Sequence, residues 1–260
     1  METHPLDFSE TPSFDPEVEA VWRHVLEGGH KHKLAFLPGA PRCLTCDIPL
    51  TGLTGKVVEL TTGYHQSRKH PQLCNVCDDV LPLGGAEVEM AVVFADLRGS
   101  TALGEQMGPS AFAQLLNQFY RAANDAFLRD FGIIDKMVGD EVMATFLPPA
   151  GPKFQANAVH SAVRLLKLLG YGSPSGSRIP VGVGVHCGRA FCGRIGTDSV
   201  HDFTVLGDTV NTAARLQGQA QPGEVVMSDA MYRIVADAYP DLPSRTVELK
   251  GKAEPFAIRT

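Results

Sequence analysis

The chain predicts a mixed α+β protein: an open sheet layered with helices, preceded by a small module stapled by metal. Three observations carry this. From Glu87 onward, short apolar runs alternate with amphipathic stretches in the order β-α-β-β-α-β. Gly139-Asp140 lies between two of those runs and signals a hairpin. Ahead of them, two Cys-x-x-Cys pairs sit in a Gly-, Pro- and Thr-containing stretch that has little to bury.

Residues 1–16, with Pro5, Pro12 and Pro16, read as a loose tail. Residues 16–28 read as one helix. Pro16 suits its first turn, Val18, Val21, Trp22 and Val25 form an apolar stripe, and Gly28-Gly29 ends it. Residues 30–77 read as irregular. The expected division is a helix and four-cysteine metal-binding module over 17–80, a linker over 81–86 and the main domain over 87–260.

In that domain a strand is expected at 88–95 and a helix at 109–131, where Phe112, Leu115, Leu116, Phe119, Ala122, Ala123 and Phe127 recur on a helical period. Strands at 133–138 and 142–147 follow, then a Pro-rich loop and a helix over 154–169. Strands at 179–187, 190–195 and 203–206 lead to a helix ending near 217, and short strand, helix and strand pieces finish the chain. This order is that of a ferredoxin-like α/β sandwich with a C-terminal extension.

The chain has 260 residues, 44% hydrophobic, with a formal net charge of -6. A packed core is within reach, and no 18-residue apolar stretch predicts a membrane span. Residues 1–85 hold seven Lys/Arg against eleven Asp/Glu, so a nucleic-acid partner is not expected. Met1-Glu2-Thr3-His4-Pro5 lacks the basic-then-apolar pattern of a secretory signal. The expected location is cytoplasmic, with reduced thiols. Cys187 and Cys192 read as small buried hydrophobes.

The chemistry concentrates in three segments. Phe94-Ala95-Asp96-Leu97-Arg98-Gly99-Ser100-Thr101 ends an apolar run on a carboxylate and a small turn. Lys136-Met137-Val138-Gly139-Asp140-Glu141 interrupts a second apolar run with Gly-Asp. Two strand ends, each with an Asp, can set Asp96 and Asp140 side by side as ligands for two divalent ions on a nucleoside triphosphate. Backbone N–H groups at Leu97, Gly99, Ser100 and Thr101 can hold phosphate. Each Asp alone also fits a turn or cap, and Ser100 or Thr101 a helix cap. The third segment is Phe203-Thr204-Val205-Leu206-Gly207-Asp208-Thr209-Val210-Asn211-Thr212-Ala213-Ala214-Arg215. Asn211 and Arg215, four apart, share a helix face and can grip a ribose and a phosphorus centre; a solvated face is the plain alternative. Leu249-Lys250-Gly251-Lys252 adds cations near a turn, or else a solvated hairpin.

Together these segments resemble the class III nucleotidyl cyclases, the adenylate and guanylate cyclase catalytic domain, over roughly residues 87–260. The resemblance implies that Asp96 and Asp140 hold two Mg²⁺ or Mn²⁺, and that Lys136 and Thr204 select the base. It implies that Asn211 orients the ribose, that Arg215 stabilises the transition state, and that Lys250, or less clearly Lys252, binds phosphate. Animal membrane enzymes of the family carry Asp where this chain has Thr204; the Thr form is similar to class IIIb. A threonine hydroxyl can accept from an adenine amino group while Lys136 donates to a ring nitrogen. Guanine-specific relatives typically carry Glu and Cys at these two places. The implied activity is ATP to 3′,5′-cyclic AMP and pyrophosphate, in a homodimer whose subunits share each active site. The alternatives are a guanylate cyclase, a catalytically silent nucleotide-binding or regulatory dimer module, a zinc-ribbon nucleic-acid binder, and a diguanylate cyclase or polymerase-palm enzyme.

Cys43-Leu44-Thr45-Cys46 and Cys74-Asn75-Val76-Cys77, with 27 residues between them, read as a closed structural zinc site. An iron–sulfur cluster is also held by four thiolates, and unligated thiols are a third option. His65 or His70 can replace a thiolate, but each reads first as a solvated histidine. The module is expected to pack on the cyclase dimer and regulate or stabilise it.

Overall fold

The computed structural model describes residues 14–28, 31–68, 70–177, 179–197, 201–252 and 254–260. Most of the expected tail, residues 1–13, lies outside them. Helix α1 (Pro16–Leu26) starts where Asp15 accepts from the Glu17 N–H at 2.8 Å, with Pro16 in the first turn. The stretch expected to be irregular contains two helices, α2 (Gly52–Thr62) and α3 (Asn75–Val80). Helix α2 has a sequence of Gly, Thr and Val that disfavours helix locally. Tertiary packing decides it: Val58 is buried, and a Cβ at Gly55 would meet the Leu50 carbonyl carbon at 2.8 Å.

The main sheet has eight strands. Strand β1 (Gly84–Leu97) is followed by α4 (Ser100–Met107) and α5 (Pro109–Arg129). The hairpin β2 (Ile133–Val138) and β3 (Glu141–Phe146) comes next, then α6 (Phe154–Leu168) and β4 (Val181–Gly196). The sheet order β2-β3-β1-β4, with every neighbouring pair antiparallel, is the ferredoxin-like arrangement. Strand β5 (His201–Leu206) pairs with β4, and α7 (Asp208–Gly218) follows it. The extension adds β6 (Val225–Ser228), parallel to β4, then α8 (Asp229–Val235), β7 (Ser244–Val247) and β8 (Phe256–Arg259).

Three boundaries differ from the sequence expectation. The segment expected as a linker runs straight into β1, because Gly84 to Ala86 pair with residues 192–194. Strands 179–187 and 190–195 are one strand, β4, paired with β1 across Gly188. Gly188 is small for packing and not for a turn: a Cβ there would sit 2.9 Å from Thr209 Oγ1. Helix α4 precedes the expected helix, and Gly99 at φ 69° starts it.

Strand alternation divides β1 between two cores. Ala91, Val93, Ala95 and Leu97 face α5 and α6, packing with Phe119, Phe127, Ala158 and Leu165. Met90, Val92 and Phe94 face the other way and share one core with Trp22, Leu26, Ile48, Leu73 and Ala213. The cysteine module therefore buries its apolar side chains together with those of the sheet. Asp96 continues this second parity, so its side chain leaves the sheet on the face that carries the module and α7.

Candidate functional site

Asp96 is the penultimate residue of β1 and pairs in register with Glu141, the first residue of β3. Leu97 donates its N–H to the Asp140 carbonyl at 3.0 Å, which ties the strand end to the hairpin. Gly139 turns that hairpin at φ 60° and places Asp140 beside Asp96. Tyr120 braces the turn by donating its hydroxyl to the Gly139 carbonyl at 2.5 Å. Burial raises the Asp96 carboxyl and Asp140 raises it further, while Gln217 and Arg98 pull it down. Burial, Asp96 and Asp140 raise Glu141 as well. Asp96 and Asp140 form an all-oxygen donor pair that suits Mg²⁺ or Mn²⁺, whose charge would relieve the repulsion between them. Sequence reasoning does not single out Glu141; its place opposite Asp96 comes from the pairing of β1 with β3.

The turn expected to hold phosphate has fewer free N–H groups than expected. The Leu97 N–H is already bonded to Asp140, so Leu97 drops out as a phosphate donor. Gly99 precedes α4, and Ser100 and Thr101 lie inside its first turn, where N–H groups have no intrahelical partner. Neither hydroxyl caps that helix.

Lys136 and Thr204, 68 residues apart, meet directly: Lys136 Nζ donates to Thr204 Oγ1 at 2.6 Å. Two carboxylates flank the same ammonium, Asp202 at 3.3 Å and Asp135 at 3.4 Å. Thr204 is buried. On α7, Asn211 is exposed and Arg215 half-buried. The Arg215 guanidinium lies against the turn after β7, where a Cβ on Gly251 would be 3.3 Å from Nη2. In that turn Lys252 pairs with Asp208 at 2.5 Å. Lys250 is exposed and makes no ion pair among the described residues.

The structure brings the predicted residues together in pairs, Asp96 with Asp140 and Lys136 with Thr204, and sets Arg215 against the Gly251 turn. Among the described residues, no hydrogen bond or ion pair joins Lys136, Thr204, Asn211 or Arg215 to Asp96 or Asp140. Helix α7 does reach Asp96 in its own chain, but through Gln217. Arg215 is two positions away on that helix and does not share the face of Gln217.

Cys43, Cys46, Cys74 and Cys77 are all buried, and their sulfurs lie within 4.8 Å of one another. Four thiolates at Zn–S distances span tetrahedral edges of about 3.8 Å; the Cys46–Cys74 sulfur separation is 3.8 Å. Backbone N–H groups of Cys74 and Cys77 point at Cys43 Sγ (3.3 Å) and Cys74 Sγ (3.4 Å), the outer contacts that steady a thiolate site. Contact among these thiols drives Cys43 far down and Cys46 far up, as in a set that shares protons. The donor set fits one tetrahedral ion. His65 is exposed, as expected. His70 is not solvated: it is buried, with Nδ1 2.8 Å from Asp78 Oδ1. A cavity of about 370 Å³ opens between the module and β2, lined among others by Arg42, Gln72 and Met137, and holds none of the predicted phosphate or metal residues but Cys43.

A family model described as the adenylate and guanylate cyclase catalytic domain matches residues 86–258. The adenylate cyclase of Anabaena cylindrica is 31% identical over 185 residues, 65% of this chain and 36% of that protein. The terminal-differentiation specific adenylate cyclase of Dictyostelium discoideum is 30% identical over 178 residues, 65% of this chain and 8% of that protein. The chain thus spans well under half the length of either relative. Among solved structures, the adenylyl cyclase CyaB from P. aeruginosa superposes with a TM-score of 0.57 at 27% identity, covering 68% of this chain and 94% of that one. No described helix is long and apolar enough to cross a membrane.

Proposed function

The chain belongs to the adenylate and guanylate cyclase catalytic domain family, and we propose that it converts ATP to 3′,5′-cyclic AMP and pyrophosphate at two equivalent sites of a homodimer. The observation that carries the choice of ATP is the 2.6 Å contact from Lys136 to Thr204. It presents a cation and a hydroxyl together, the pair that meets a ring nitrogen and an amino group on adenine. The ribose 3′-oxygen attacks the α-phosphorus in line, and the bond to the bridging oxygen of pyrophosphate breaks. Asp96 and Asp140 hold two Mg²⁺ or Mn²⁺, which when bound favour loss of the 3′-hydroxyl proton and neutralise the triphosphate. Asn211 fixes the ribose, Arg215 stabilises charge on the α-phosphoryl oxygens, and Lys250 binds terminal phosphate. Ser100 and Thr101 supply N–H donors from the first turn of α4.

What supports the dimer is that, among the described residues, no hydrogen bond or ion pair within one chain joins Asp96 and Asp140 to the other predicted residues. A second copy would complete the set by bringing its Lys136, Thr204, Asn211 and Arg215 to this chain's Asp96 and Asp140. The cysteine module holds structural Zn²⁺ and stabilises the domain through the core it shares with the sheet. Incubation with ATP and with GTP, each with Mg²⁺ and with Mn²⁺, followed by product identification, tests the reading. Cyclic AMP is expected. Predominant cyclic GMP would make the protein a guanylate cyclase, and no cyclic product from either nucleotide would make it a silent module.

A further inference from the structure

Strand β2 contains an irregularity that puts two consecutive side chains to use. Ile134 pairs with Ala144 and Lys136 with Met143, so Asp135 is the extra residue of a β-bulge. In a regular strand, neighbours point to opposite faces; a bulge re-aims one of them. Here the bulge brings the Asp135 carboxylate to the same ammonium that Lys136 extends to Thr204, at 3.4 Å, with the Asp135 side chain only 1% exposed. Both Asp135 oxygens are buried with no hydrogen-bond partner at ordinary geometry among the described residues. Burial pushes the carboxyl up to about 6, while Lys136 and the Thr204 hydroxyl favour its ionised form.

The hydroxyl of Thr204 has one proton and two lone pairs. Lys136 occupies one lone pair. We propose that Asp135 is a positioning residue for base selection: its buried carboxylate accepts the Thr204 hydroxyl proton, leaving Thr204 a single lone pair to offer the incoming base. Thr204 then acts on a ligand as an acceptor only. It takes the amino group of adenine and turns away the carbonyl oxygen at the same place on guanine. The inference rests on the nucleotide-cyclase reading and deepens it, since threonine alone does not discriminate between donor and acceptor.

The test measures kcat/KM for ATP and GTP in the wild type, Asp135→Leu, Asp135→Asn, Thr204→Val and the Asp135→Leu/Thr204→Val double variant. Asp135→Leu keeps the volume but removes the acceptor, and the ATP:GTP ratio is expected to fall roughly tenfold, the worth of one hydrogen bond. Asp135→Asn, which retains a carbonyl acceptor, is expected to keep most of the ratio. In the Thr204→Val background, Asp135→Leu is expected to leave the ratio unchanged. An unchanged ratio in folded Asp135→Leu, or an equal fall without the threonine hydroxyl, overturns the inference while cyclase activity stands. Binding of 3′-deoxy-ATP and 3′-deoxy-GTP separates the two ideas and covers variants without turnover. A wild type that forms no cyclic product yet prefers 3′-deoxy-ATP, with the preference lost in Asp135→Leu, supports the inference and removes the cyclase reading. Equal binding of both analogues by the wild type overturns the inference.

Discussion

Arg194 on β4 and Asp78 on α3 form an ion pair shielded from solvent, with side chains 7% and 5% exposed. Asp78 also accepts from Ser67 at 2.5 Å and faces His70 Nδ1 at 2.8 Å. Arg194 donates to the Leu81 carbonyl at 2.5 Å and lies 3.2 Å from His201 Nε2, whose ring stacks on His70. One polar network therefore pins the cysteine module to β4 and to β5, the strand that carries Thr204.

Breaking that network from one side strands a buried charge. Asp78→Ala and Arg194→Ala are each expected to cost about 3–5 kcal/mol. The double variant is expected to lose much less than the sum, because it leaves no orphan charge. Urea unfolding of the three variants measures this. Single losses under about 1 kcal/mol would mean that the pair is not the latch its burial implies.

The four cysteines should retain one zinc ion per chain through purification, detectable by elemental analysis in a colourless sample. Cys43→Ser is expected to lower zinc content and thermal stability together, since a structural site contributes directly to folding. A brown sample containing iron would replace zinc with an iron–sulfur cluster.

Arg215→Ala is expected to lower turnover roughly a hundredfold or more with the fold intact. Asp96→Ala is expected to abolish it. Mixing the two variants should recover activity, because a heterodimer then owns one site with both aspartates on one subunit and the arginine on the other. No recovery, with mixed dimers demonstrated, would end the shared-site reading.

Asp135 imposes a pH dependence opposite to that of an ordinary ion-paired aspartate. Its folded-state value, about 6, lies above the usual 3.8. Its contribution to stability is therefore fully present below the unfolded value and lost as pH rises through about 6. Asp135→Asn, which has no carboxylate to ionise, should gain stability relative to the wild type between pH 5 and pH 8, on the order of 1–3 kcal/mol. Denaturant curves at the two pH values check this. An identical difference at both would show that the carboxylate carries no burial cost.

Much of the proposed site was legible in the chain. Asp96 and Asp140 stand where apolar runs stop at Gly-containing turns, so their placement follows from strand alternation and hairpin chemistry. Asn211 and Arg215 were readable as a helical pair for the same local reason. His70 was not: a lone histidine in a polar stretch gives no sign that Asp78, Arg194 and His201 will enclose it. Nor was the Leu97 N–H, which looked free until the hairpin supplied the Asp140 carbonyl.

By itself, the sequence determined the β-α-β-β-α-β order of the main domain, the two carboxylates proposed to hold metal and the four clustered thiols, because each depends on period, spacing or residue type within a short window. Only the tertiary structure decided that 52–62 is helical, that β4 runs unbroken through Gly188, and that Asp135 turns toward Lys136 and Thr204. Those outcomes depend on which strand lies alongside and which backbone comes close. Register and packing are set by partners tens of residues away, and no local pattern carries them.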